Sequence, residues 1–114
     1  MSSGNKECLN STGYEFVRIE SPEHITKEIN SFFENKNIFG TVYVSIEGIN
    51  INLAGGEDSV KSVEKLFHQH DLFKKILFKH TYSDKPPFKK LKIKVKPEII
   101  SIKKDINNIF DIKK

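Results

Sequence analysis

Residues Lys90-Leu91-Lys92-Ile93-Lys94-Val95-Lys96 alternate strictly between lysine and an aliphatic side chain. Successive side chains of a strand point to opposite faces, so this stretch, as β structure, turns Leu91, Ile93 and Val95 to a core and the four ammonium groups the other way. Every second residue of a strand stands about 6.5–7 Å from the last, a spacing that phosphates along a polyanion can follow. The chemistry offered is electrostatic holding of a backbone, since lysine is a point charge. With one arginine in the chain, Arg18, bidentate reading of base edges or phosphates is poorly provided for. Lys85 and Lys89, together with the Lys74-Lys75 pair, add charge beyond what is needed to keep an edge strand from pairing with another chain. Tyr82 and Phe88 bracket the turn carrying Lys85 and offer rings on which bases could stack.

The charge distribution agrees. The chain carries +4 with a pI near 9.1, yet residues 74–104 hold eleven lysines against two acids, a net of +9 that leaves −5 on the rest. Such asymmetry points to a polyanionic partner for the C-terminal third.

Other chemistry finds less support. His68 and His70 diverge by about 200° on a helix and cannot share one ion there, so no metal site is expected. His80 has no nucleophile paired with it in sequence. Cys8, the single cysteine, lies in a polar leader and reads as an incidental free thiol. Gly55-Gly56 precedes Glu57 and Asp58, which would repel an anion, so these glycines serve backbone geometry. No catalytic residue, metal or cofactor is assigned to this chain.

The elements that must position the lysines follow from patterning. A chain of 114 residues, 37% hydrophobic and 30% charged with a mean hydropathy of −0.45, is of the soluble globular class and the size of one domain. No apolar run approaches the ~20 residues of a bilayer span, and the N-terminus lacks the pattern of a secretory signal, so a cytoplasmic location without membrane contact is expected. Tyr14 to Glu20 reads as a first strand, with Arg18 inside it. Ser21-Pro22-Glu23 starts a helix whose buried face is Ile25, Ile29, Phe32 and Phe33, closed by Asn35 and Asn37. Gly40 to Ile46 is the second strand, Glu47-Gly48-Ile49-Asn50 a hairpin turn, and Ile51 to Ala54 the third. Glu57-Asp58-Ser59 starts a second helix, with Val60, Val63, Phe67 and His70 along one stripe. Ile76 to Tyr82 and Leu91 to Val95 complete the sheet, the last strand with a possible extension to Ile102. Pro97 places that strand at an edge or bends it.

The order β-α-β-β-α-β-β predicts an α+β, ferredoxin-like or acylphosphatase-like sandwich, an antiparallel sheet with two helices on one face. Residues 1–13 are expected as a flexible leader, 14–104 as the domain and 105–114 as a tail or the start of a linker.

Several segments carry a family resemblance: Gly40 to Val44, Glu47-Gly48-Ile49-Asn50, Ala54-Gly55, and Tyr82-Ser83-Asp84 with Pro87-Phe88-Lys89-Lys90 through Ile100. In these the chain resembles the N-terminal domain of the rhodanese-related tRNA uridine hydroxylases, over about Tyr14 to Lys104. The resemblance implies an acylphosphatase-like domain preceding a rhodanese domain that holds the catalytic cysteine, in enzymes that use molecular oxygen to make 5-hydroxyuridine at the tRNA wobble position. Cys8 lies before the matching region and inherits no such role. Acylphosphatase chemistry itself is not expected, because Glu20-Ser21-Pro22 stands where a glycine-rich phosphate loop belongs and Val44 where a water-orienting asparagine belongs.

The reading is a non-catalytic tRNA-binding domain, inactive alone, with Lys85, Lys89, Lys90, Lys92, Lys94 and Lys96 on the RNA backbone. Glu47, Gly48, Asn50 and Phe88 are placed beside the site or at an interface with a rhodanese domain of the same or another chain. The alternatives are a structural domain docking on that rhodanese domain and a free-standing acylphosphatase-like hydrolase.

Overall fold

Aliphatic side chains at alternate positions of the two central strands decide which side of the sheet the helices cover. In the computed structural model, which describes residues 8–86 and 89–97, these are Ile38, Val42 and Val44 of β2 (Ile38–Ser45) and Ile49, Ile51 and Leu53 of β3 (Gly48–Gly55). They share one core with Ile25 and Ile29 of α1 (Pro22–Phe32) and with Val60, Val63 and Phe67 of α2 (Glu57–Gln69). With β1 (Cys8–Phe16), β4 (Lys79–Ser83) and β5 (Leu91–Val95) the sheet order is β4-β1-β3-β2-β5. This is the expected α+β sandwich of the ferredoxin-like, acylphosphatase-like kind. Among the described residues no helix is long and apolar enough to cross a membrane.

The sheet is mixed rather than wholly antiparallel. β1, β2, β3 and β4 pair antiparallel, whereas β5 runs parallel to β2. The cause is geometric. β4 ends at Ser83 opposite Cys8, on the side of the sheet where β2 begins, so a chain crossing that end enters the far edge in the direction of β2. The crossing spans four strand spacings, about 19 Å, within reach of residues 84–90 at about 3.3 Å each.

Several element boundaries differ from expectation, β2 and β3 among them, whose observed ranges are wider than Gly40–Ile46 and Ile51–Ala54. β1 starts at Cys8, not Tyr14, and pairs with β3 from Leu9–Gly55 to Phe16–Gly48, so residues 8–13 belong to the sheet and not to a leader. Cys8 is accordingly buried, its Sγ 3.7 Å from Asn10 Oδ1. Val17 and Ile19 leave the strand and donate their amides to Glu47 and Ile46 carbonyls, which puts Arg18 in the β1–α1 loop. β4 starts at Lys79, because Ile76 is spent as a core residue below the small Gly13. β5 ends at Val95, so Lys96 and Pro97 do not extend it; the rest of the expected extension to Ile102 lies outside the described residues, as do residues 1–7 and 105–114.

α1 begins at Pro22, whose fixed φ suits a first helical position; Ser21 stands at the N-cap without a side-chain bond. α2 carries Phe67 on its buried stripe, edge-on to Phe32, Phe33 and Phe73. That stripe also holds Glu64, one turn after Val60 and largely buried. Its Oε2 accepts from Ser11 Oγ at 2.5 Å and lies 2.6 Å from His80 Nε2, joining α2 to β1 and β4. His80 thus has a carboxylate partner that sequence reading missed, although Glu64 stands at helical spacing from Val60. Glu64→Ala strands the fully buried Ser11 hydroxyl and is expected to cost about 2–3 kcal/mol in urea unfolding, with Glu64→Gln, which keeps an acceptor, costing less.

Candidate nucleic-acid interface

The alternation read in β5 is present in space. Leu91 and Ile93 are half-buried against the core, while Lys92 and Lys94 are exposed on the face turned away from the helices. Val95 departs from the pattern at 40% exposure, since it lies near the end of an edge strand. Lys96 stays on the outer side, where its ammonium sits 4.9 Å from the centre of the Tyr43 ring, and its amide continues the ladder to the Val44 carbonyl at 2.8 Å. Lys89 and Lys90 are exposed in the bend that leads into β5. Lys85 is set apart: it follows β4, at the opposite edge of the sheet, and its carbonyl accepts from Ser83 Oγ. Among the described residues none of these six lysines has a carboxylate within ion-pair distance.

Register shows what shares the outer face with the lysines. One row runs Lys79, Thr12, Asn52, Thr41, Lys92, and the next runs Tyr14, Asn50, Tyr43, Lys94. None of the described strand residues on that face is acidic. The acids of α2 lie on the helix side, where Lys61 holds the Glu57 carboxyl below the usual carboxylate range through a hydrogen bond and its charge, and is itself raised in return.

The Glu47-Gly48-Ile49-Asn50 segment divides its work. Only Ile46 and Glu47 form the turn; β3 already starts at Gly48. Gly48 has φ +149° and passes beneath the Glu15 carbonyl, Ile49 enters the core, and Asn50 sits buried on the outer face, accepting from Asn52 Nδ2 at 3.3 Å. Asn50 therefore shares a register row with Lys94, with Tyr43 between them, and Glu47 is at the sheet's end.

The remaining predicted groups go elsewhere. Tyr82 points to the helix side, with its hydroxyl on Glu57 Oε1 at 3.3 Å, and so does not share a face with the lysine row. Phe88 lies outside the described residues. His68 Nε2 meets the Ile76 carbonyl and His70 Nε2 meets Glu28, and among the described residues no group of three ligating side chains could hold a metal. Arg18 lines an open cleft of about 350 Å³ with Glu20, Ser21 and His24, while Val44 is sealed in the core. Sequence reading put Arg18 in a strand because Val17 and Ile19 are β-branched; the structure makes it a loop residue that shares its cleft with the Glu20 carboxylate. What that reading missed on the outer face is an aromatic pair on β1: Tyr14 and Phe16, each 48% exposed, meet edge-on at 5.7 Å.

A family model described as the UPF0176 acylphosphatase like domain matches residues 9–99. Relatives named tRNA uridine(34) hydroxylase include one from Xanthomonas campestris pv. campestris (strain 8004), 34% identical over 96 residues, covering 84% of this chain and 38% of that protein. Another, from Cupriavidus pinatubonensis, is 32% identical over 100 residues, covering 88% of this chain and 36% of that protein. The chain thus spans less than two-fifths of the length of these relatives. Among solved structures the fold is similar to the BLUF protein BlrB in its dark state, with a TM-score of 0.69 at 15% identity, over 92% of this chain and 85% of that one. It is also similar to part of full-length HypF in its phosphate- and nucleotide-bound form, with a TM-score of 0.56 at 15% identity, over 76% of this chain and 12% of that one. These two likenesses are of fold alone.

Proposed function

The chain belongs to the UPF0176 acylphosphatase-like domain family, and from that premise we propose that it is the tRNA-holding domain of a tRNA uridine hydroxylase. The observation that carries this reading is the row of lysines along β5, set beside an outer face whose described strand residues include no acid. Its relatives bear the name of an enzyme whose substrate is a polyanion, and a row of ammonium groups at strand spacing matches a phosphate backbone. The domain supplies position and charge. A partner rhodanese domain supplies the oxidation, and the work is done in the cytoplasm with no cofactor held by this chain.

Filter binding of bulk tRNA at several salt concentrations tests the reading. Contacts by Lys85, Lys89, Lys90, Lys92, Lys94 and Lys96 predict a log–log slope of about −4 to −5, since each phosphate neutralised contributes about −0.7 to −0.9. No retention of tRNA at low salt would remove it.

A second reading, docking on a rhodanese domain, is favoured by the exposure of Ile46 at 54% and Leu77 at 86%. It predicts that Leu77→Ser weakens assembly with the catalytic domain while leaving tRNA retention unchanged.

A further inference from the structure

Resting on the reading that this domain holds tRNA, we propose that the RNA strand lies along the free edge of β5, its phosphates accepting from the backbone amides of Leu91, Ile93 and Val95 while Lys92 and Lys94 neutralise them. β5 is the last strand of the sheet, so one side of its backbone has no neighbouring strand. The ladder decides which groups that side exposes. The Gly40 amide donates to the Lys90 carbonyl at 2.9 Å and the Lys96 amide to the Val44 carbonyl at 2.8 Å, and between them Gly40 stands opposite Leu91, Val42 opposite Ile93 and Val44 opposite Val95. In a parallel pair of that register the even-numbered residues of β5 make the bonds to β2, and the odd-numbered ones turn N–H and C=O outwards. Among the described residues no hydrogen bond occupies these outward groups.

The outward amides recur at every second residue, about 6.5–7 Å apart, which is also the repeat of the lysines beside them. Each phosphate thus meets one amide in the plane of the sheet and one ammonium from its outer face. A bond from a backbone N–H to an oxyanion is charge-assisted and stronger than the same bond to a neutral acceptor. The carbonyls between the amides have a counterpart too, because a ribose 2′-hydroxyl can donate to them, and DNA lacks that group. The next alternate position is Pro97, which has no N–H and ends the row.

Charge chooses the occupant. A free edge can also take a peptide as an added strand. Here such a strand would set its own side chains beside Lys92 and Lys94, which are exposed and, among the described residues, have no carboxylate within ion-pair distance. Lysines on an edge oppose strand addition. A ribose–phosphate chain brings one negative charge at every repeat, and so answers the amides and the ammonium groups together.

The test follows amide hydrogen exchange in the full chain, 15N-labelled, alone and with a ten-residue oligouridylate or its deoxy counterpart. In the free chain the amides of Leu91, Ile93 and Val95 are expected to exchange at close to unprotected rates, and those of Lys92, Lys94 and Lys96 slowly. Saturating oligouridylate is expected to slow the first three by about tenfold or more, and to bind about fivefold or more tightly than the deoxy strand. Val95→Pro removes one outward amide without breaking a ladder bond, and is expected to weaken oligouridylate binding by roughly tenfold relative to Val95→Ala, with the salt slope unchanged. Salt-dependent binding that leaves the three amides as fast as before, or their protection already in the free chain, would overturn the edge contact and leave the lysine contacts standing. Equal affinity for RNA and DNA would overturn the bonds from ribose to the carbonyls. Greater slowing by a ten-residue Glu-Val repeat peptide would assign the edge to a protein strand instead. If the wild type binds no RNA at low salt, the tRNA reading falls and this proposal with it.

Discussion

Replacing Lys90, Lys92, Lys94 and Lys96 together by alanine is expected to weaken tRNA binding by roughly three orders of magnitude at 0.1 M salt, with the loss shrinking towards nothing near 1 M. The size follows from counterion release: four phosphate contacts contribute about 3 to 3.6 to the log–log slope, and that slope acts over one decade of salt. Lys96 also gives up its place over the Tyr43 ring, so its share includes the loss of a local contact. Stability is expected to change little, within about 0.5 kcal/mol per residue, because the core contacts of β5 come from Leu91 and Ile93. Filter binding at four or more salt concentrations, with thermal melting as the control, separates the two effects. A parallel downward shift of the binding line with unaltered slope would mean that the lysines do not touch phosphates.

Gly48→Ala is expected to be among the most damaging single changes to the fold. At φ +149° an L side chain is strained, and a Cβ at Gly48 would overlap the backbone carbonyl of Glu15, which is itself paired in the sheet. Gly40, at φ +136° under the Asn52 carbonyl, is the matching close approach in β2. Neither obstacle is a flexible side chain, so the strands must part. A loss of about 3 kcal/mol or more follows, a large share of the ~5–15 kcal/mol that holds a small domain together. In melting temperature that is a fall of about 12–24 °C. A variant that melts within 3 °C of the wild type, as about 0.5 kcal/mol would produce, would show that the backbone at Gly48 is not held as described.

What sequence reading can reach depends on whether a residue's role is local. The period-two pattern of Leu91 to Val95 depends on nothing beyond the strand itself, so both the strand and the side of its lysines are legible. Gly48 is legible as a special backbone position, though as a turn residue rather than as the first residue of β3. The start of β1 is not: Asn10, Ser11 and Gly13, around Thr12, have weak strand preference, and the segment is held by pairing with β3 and by the Ser11–Glu64 bond, both of which join distant parts of the chain. The direction of β5 is hidden for the same reason, because it depends on which sheet edge is vacant when the chain leaves β4. Parity shows that Tyr14 and Phe16 share a face; only the packing of α1 and α2 shows that it is the outer one.

Photo-crosslinking of tRNA carrying 4-thiouridine in its single-stranded loops, followed by mass spectrometry of the linked peptides, tests most directly where RNA lies on this domain. Linked peptides are expected from the Lys89–Lys96 stretch that contains β5. Links falling instead on the exposed sides of α1 and α2 would contradict the account.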